Sequence, residues 1–218
     1  MQGLPQRTEL NNGAGKKISK EKFYSKLDLT GTQERLFIDQ ISSMRWMNKI
    51  SSESMNLTVS DDIQEIEIFE IVLKGDDVDE KLLKIIDEAI IHPIVFVIRN
   101  DSKERLFIAY KETGESGKTN VIQYYSTEWS ESGSSALDVS AINTGEIYKS
   151  LITQISNGRV VSVDETELSD LVADDMEFQK ALKDIEKLKS RIKKTDQPNK
   201  KLELVHELRG LKKKWGVE

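Results

Sequence analysis

Cysteine does not occur among the 218 residues. That excludes disulfides, thiol nucleophiles and thiolate metal sites, and it fits a reducing compartment. Histidine is nearly absent: only His92 and His206 occur. His92 precedes a proline at an expected helix end, and His206 lies among lysines and glutamates. Neither has a second histidine at ligand spacing, so no zinc site is expected. A serine–histidine–acid triad would lack the strained, glycine-flanked serine that such chemistry uses. Long apolar runs are also missing. The longest, Ile90 to Ile98, is broken by His92 and Pro93 and is too short to cross a bilayer. Met1 to Asn12 has no apolar signal core. These features predict a cytoplasmic protein without membrane contact, and no pattern points to a cofactor.

What is present is charge. The chain is 37% hydrophobic and 32% charged, as a folded and very soluble protein would be. Its formal charge of −6 is split unevenly. Residues 176–218 hold 13 Lys+Arg against 7 Asp+Glu, a net +6, and residues 1–175 carry −12. A basic arm on an acidic body suggests contacts guided by charge. The plainer reading is a solvated, lysine-rich helix face, because lysine is a good helix former.

Met1–Lys17 is polar, contains Asn11-Asn12-Gly13-Ala14-Gly15, and reads as a flexible arm over residues 1–17. Ser19 can cap a short helix over Lys20–Leu27, and Thr30 or Thr32 a second one reaching about Asn48. Phe37, Ile41, Met44 and Asn48 recur at helical spacing, which turns the first three to the core. Ser51–Ser60 is a polar connection. Ile63–Lys74 is the clearest strand. Glu65 and Glu67 share one face at its wet start, and Phe69 and Ile71 continue that face as apolar. After the turn at Gly75-Asp76-Asp77, Asp77 or Asp79 caps a helix to about Ile91, with Leu82, Leu83, Ile86 and Ile90 inward; Pro93 stops it. Ile94–Ile98 is a central strand and Leu106–Tyr110 its antiparallel return. A loop over Lys111–Thr119 leads to a strand at Val121–Thr127. A helix from about Thr144 to Ser156 ends at Gly158, and Val160–Val163 reads as a brief edge strand. One strand–helix–strand unit followed by hairpin strands predicts an α/β (α+β) class, a mixed sheet with flanking helices over residues 18–163.

Residues 164–218 predict a C-terminal α-helical hairpin or coiled coil. Its core positions run Leu171, Asp174, Phe178, Ala181, Ile185, Leu188 and Ile192, then Leu204, Leu208, Leu211 and Trp215, divided around Pro198. Steps of three and four put one apolar stripe on each helix, and each stripe must be buried against its neighbour or another chain. Phe178, Ile185, Leu188, Ile192, Leu204, Leu208, Leu211 and Trp215 are the candidate protein-contact residues. Trp129, clustered with Tyr124 and Tyr125, joins them as an interface anchor, although aromatics there more often close the edge of a core. Lys193, Lys194, Lys200 and Lys201 near the turn, and Lys212, Lys213 and Lys214 at the far end, are candidate phosphate contacts, with no recognised nucleic-acid motif beside them.

Two catalytic patterns are weighed. Gly114-Glu115-Ser116-Gly117-Lys118-Thr119 resembles the end of a phosphate-binding loop. Glu112 stands where the first glycine belongs, and strand-like residues follow where a helix must begin. A flexible hairpin loop fits better. A divergent Mg²⁺ nuclease would need acids converging beside a lysine; Glu65, Glu67, Glu70 and Lys111 are the candidates. Their spacing departs from the usual arrangement, with no acid two residues before Lys111. A solvated strand face is the alternative.

Read in order, Gly3-Leu4-Pro5, Thr8-Glu9, Ile18–Tyr24, Trp46–Ile50, Ile66–Ile71, Pro93–Phe96, Ala109-Tyr110-Lys111, Tyr125–Trp129 and the closing lysine- and leucine-rich helices resemble the prokaryotic family called domain of unknown function 4391. The resemblance covers nearly the whole chain. It implies a setting beside a helicase and an adenine-specific DNA methyltransferase in restriction-like, phage-defence loci, and it carries over no catalytic residue. The expectation is a non-enzymatic accessory subunit of a bacterial restriction-modification or phage-defence system. Its hairpin would dock a protein partner, such as that helicase or methyltransferase, or a second copy of the chain. A nuclease and a DNA-binding module are the alternatives.

Overall fold

The computed structural model describes residues 2–60, 63–114, 119–161 and 166–217. The chain divides into two compact units, Met1–Ser162 and Val163–Glu218.

The first unit is an α+β body. Helices α1 (Glu21–Lys26) and α2 (Gly31–Gln40) come first. Thr30 and Gln33 form a reciprocal cap that satisfies free amides at the start of α2. Strand β2 (Ile41–Ser51), the one-turn helix α3 (Ser52–Met55) and strand β3 (Glu65–Leu73) follow. Then come α4 (Glu80–Glu88), capped by Asp79, and strands β4 (Ile94–Asn100), β5 (Lys103–Thr113), β6 (Thr119–Ser126) and the short β7 (Ser130–Glu131). Helix α5 (Thr144–Ile155), capped by Asn143, ends the body; Asn157 and Gly158 both take left-handed backbone after it. From the edge strand β1 (Lys16–Lys17) the sheet runs through β2, β3, β4 and β5 to β6, with β7 beside β5. Only β3 and β4 are parallel, joined through α4; the other pairs are antiparallel.

Both sheet faces are buried. Phe69, Ile71, Phe96, Ile98, Phe107 and Tyr124 share one cluster with Phe23, Phe37, Leu82, Leu83 and Ile86 of α1, α2 and α4. On the other face α5 packs on β3, β5 and β6 and buries Ile147, Tyr148, Leu151, Ile152 and Ile155. β4, with apolar residues pointing both ways, is the central strand expected from its continuous run.

Three sequence expectations need correction. The second helix stops at Gln40, and the stretch to Ser51 is strand. Ile41, Met44 and Asn48 are buried as expected, but from β2. Register shifts between Ile41 and Ser43, and between Trp46 and Asn48, each insert a residue. Two bulges thereby turn a period of two into steps of three and four, which imitates a helix. Residues 2–17 are not a flexible arm. The Leu10 amide donates to Met47 O at 2.9 Å and the Leu137 amide to Gln2 O at 3.1 Å. Thr8 is buried and its hydroxyl accepts from Asn48 Nδ2 at 2.9 Å. The polar segment covers the sheet edge, which would otherwise present open backbone groups. Lastly, Val160 and Val161 are not in a strand; Ser162 and Val163 lie outside the described residues.

Gly3 makes the N-terminal contact feasible. It sits at φ +88°, and a Cβ there would lie 2.3 Å from Leu137 O. Gly3→Ala is expected to cost about 1–3 kcal/mol in urea unfolding. An unchanged midpoint would contradict this role for the segment.

The second unit is a helical pair, α6 (Leu168–Lys194) and α7 (Pro198–Trp215), which pack on each other. Pro198 takes the first helical position, where its missing N–H costs nothing. Gly216 ends α7 in left-handed backbone at φ +63°.

Candidate functional site

Lys111 does not meet the strand acids. β5 delivers it beneath α4, where its side chain is 4% exposed and pairs with the fully buried Asp87 at 2.7 Å. Its Nζ also donates to the carbonyls of Asp87, Ile90 and His92 at 2.9, 3.0 and 2.9 Å. The Asp87 carbonyl belongs to the last turn of α4 and the other two lie just beyond it, where a helix end leaves acceptors in need of donors. The Tyr124 hydroxyl donates to the other Asp87 oxygen at 2.5 Å. Burial pushes the Asp87 carboxyl up and the Lys111 ammonium down, each opposed by the attraction between them. Where the β5–β6 ladder is irregular, the Tyr148 hydroxyl accepts from the Lys111 amide at 3.0 Å and donates to Ala109 O at 2.7 Å. Lys111, Asp87 and Tyr124 thus tie α4 to the sheet, and Tyr148 ties α5 to it.

The three glutamates are themselves divided. Glu65 and Glu67 project to one face of β3 and Glu70 to the other. Glu65 pairs with Lys49 and, at 3.3 Å, with His92 Nε2. Burial pushes the Glu65 carboxyl up, but Lys49, Glu67 and His92 outweigh it and hold it below the usual range. Glu67 is not on a wet face, as its position suggested; it is 4% exposed, and its Oε2 has no hydrogen-bond partner. Burial, and then the adjoining Glu65, push it up to about 8. One neutral and one ionised carboxyl therefore sit together at neutral pH. Glu70 instead lies 2.5 Å from Arg99 Nη1. Arg99 also contacts Glu104 at 3.2 Å, and Glu104 Oε1 accepts the Ser135 amide at 2.9 Å. Among the described residues no group of three or more His, Asp or Glu could hold a metal ion.

The sequence reading missed Asp87, Lys49, Arg99 and Glu104 as partners. A signal existed for Asp87: it follows Leu83 by four residues on an otherwise apolar stripe, and a charge there needs an internal counterion. A small cleft of about 150 Å³ between the N-terminal segment and the sheet was also not foreseen. Leu4, Gly13, Met47, Ile68, Glu70 and Arg99 are among its walls.

The phosphate-loop resemblance falls between β5 and β6, two antiparallel strands. Residues 115–118 of that stretch lie outside the described residues. Trp129 is half-buried against the core cluster. Tyr125 is buried, with the Arg159 guanidinium 5.0 Å from its ring centre.

In the hairpin, Ile185, Leu188 and Leu204 are buried. Phe178, Ile192, Leu208, Leu211 and Trp215 are half-buried. The rings of Phe178 and Trp215 meet at 5.8 Å, so the two stripes face each other. What stays open is the outside. A shallow trough of about 520 Å³ on α6 is lined by Gln179, Leu182, Lys183, Glu186, Lys187 and Ser190. Leu202 is 72% exposed. Lys193, Lys194, Lys200, Lys201, Lys213 and Lys214 are exposed and Lys212 is half-buried.

The fold defines a two-unit protein, an α+β body followed by a helical pair. Over residues 3–214 the sequence matches the family described as Domain of unknown function (DUF4391), and the chain belongs to that family. No curated protein and no solved structure matches it. Among the described residues no helix is long and apolar enough to cross a membrane.

Proposed function

We propose that this protein is a non-enzymatic accessory subunit of a bacterial DNA-processing assembly, of the restriction-modification or phage-defence kind. One observation carries the reading. The body spends Lys111 and its acids on internal pairs, while residues 163–218 form a compact unit with an open outer surface. Because the apolar stripes close on each other, a protein partner would meet the α6 trough and the charged faces rather than the seam. The setting implied by the family resemblance names the partner to try first, a helicase or a DNA methyltransferase. A second copy of the chain is the other candidate.

The non-enzymatic half is tested by incubating the pure chain with supercoiled plasmid and Mg²⁺ or Mn²⁺. The plasmid is expected to stay intact. Cleavage abolished by Glu67→Ala or Glu70→Ala would overturn the reading. The docking half requires that a chain lacking residues 166–218 keep the far-ultraviolet spectrum and cooperative melting of a folded body.

A further inference from the structure

Helix α6 follows the electrostatic rule for helices. Asp170 lies in its first turn, and Arg191, Lys193 and Lys194 lie in its last, where the helix dipole favours each sign. Two more of its lysines are paired locally, Lys187 with Asp184 and Lys189 with Glu186. Helix α7 breaks the rule. Its third and fourth residues are Lys200 and Lys201, its first turn has no acid, and no side chain caps it. Cations there oppose the positive end of the dipole. Only residues 195–197 separate α6 from α7, and the two helices pack on each other, so Lys193, Lys194, Lys200 and Lys201 share the turn end of the hairpin. All four are exposed. Between Arg191 and Lys201 five cations face one carboxylate, Asp196.

We propose that this turn end of the hairpin binds the phosphate backbone of nucleic acid through Lys193, Lys194, Lys200 and Lys201. The placement of Lys200 and Lys201 weakens the helix that carries them, and local conflicts of this kind are retained where function requires them. A phosphate backbone suits the patch best. It offers dense, regular negative charge that clustered cations alone can engage. A protein interface would need a buried aromatic or apolar anchor, and here only the single Leu202 protrudes. Residues 1–175, net −12, repel a polyanion, so contact is confined to the helical pair. This goes beyond the adaptor reading and does not depend on it, because a protein could dock elsewhere on the unit while the tip touches nucleic acid.

The test uses the full chain and a fluorescein-labelled 30-base-pair duplex of arbitrary sequence, read by anisotropy from 50 to 200 mM NaCl. Four phosphate contacts predict a slope of log K against log salt of about −4. Lys200→Glu with Lys201→Glu should weaken binding at least about ten-fold at 50 mM and reduce the slope to about −2. The same pair should raise the melting midpoint, since acids at the start of α7 satisfy its dipole. Lys200→Ala with Lys201→Ala should move both readouts the same way by less. No binding at 50 mM would overturn the proposal. So would unchanged binding by the glutamate variant, or a lowered melting midpoint, which would make these lysines structural. Equal affinity for anionic phosphatidylserine vesicles would assign the patch to membrane surfaces instead.

Discussion

Lys111→Ala is expected to lower the unfolding free energy by about 3–5 kcal/mol, the largest effect of any single substitution considered for this body. The reason is what stays behind. Asp87 is fully buried, and without Lys111 its carboxyl must either hold an uncompensated charge or take up a proton, with only the Tyr124 hydroxyl beside it. The carbonyls of Ile90 and His92 would also lose their shared donor. Urea unfolding at neutral pH measures this. A loss below about 1 kcal/mol would show that the pair is not the clamp described. Replacing both partners together, Lys111→Met with Asp87→Leu, should recover much of the loss, because no uncompensated charge is left in the interior. Such recovery would separate a structural lysine from a catalytic one.

Glu67→Gln is expected to stabilise the protein by about 4 kcal/mol more at pH 8 and above than at pH 5. The sign follows from proton binding. In the folded chain Glu67 holds its proton up to about pH 8, whereas an unfolded chain releases it near the ordinary glutamate value of about 4.3. Between those values the folded state binds the extra proton, so stability falls as pH rises by up to about 1.4 kcal/mol per unit. Above pH 8 two carboxylates are forced together. Glutamine keeps a donor toward Glu65 and cannot ionise. Thermal melts of both proteins from pH 5 to pH 9.5 should lie close together near pH 5, separate steadily up to about pH 8 and keep a constant gap above it. A gap that does not change between pH 5 and pH 8 would mean that Glu67 is ionised throughout.

The central strands, the last helix of the body and the hairpin could be read from periodicity, because each buries a simple stripe. β2 could not. Its two bulges rephase the alternation, and nothing local distinguishes 41, 44, 48 on a bulged strand from the same spacing on a helix. The N-terminal segment was illegible for another reason. It is ordered by backbone hydrogen bonds and by Gly3 fitting against Leu137, neither of which leaves an apolar pattern. The candidate acids failed as a group on geometry alone. Alternation along β3 separates Glu67 from Glu70, and the partner that claims Lys111 stands 24 residues away in sequence on another element. Two glutamates on one strand face read as a wet strand start, yet Glu67 is buried. A pair of acids two residues apart on one strand face can also share a proton, and here burial makes that the preferred state.

The hairpin as the docking element is tested most directly by mass. The intact chain and the chain lacking residues 166–218 are each mixed with a helicase or a DNA methyltransferase of the kind the proposed assembly would contain, then passed over a sizing column with light scattering. The intact chain should shift to the mass of a complex, and the truncated chain should elute alone at the mass of its body. A truncated chain that still travels with its partner would place the docking surface on the α+β body and contradict the account.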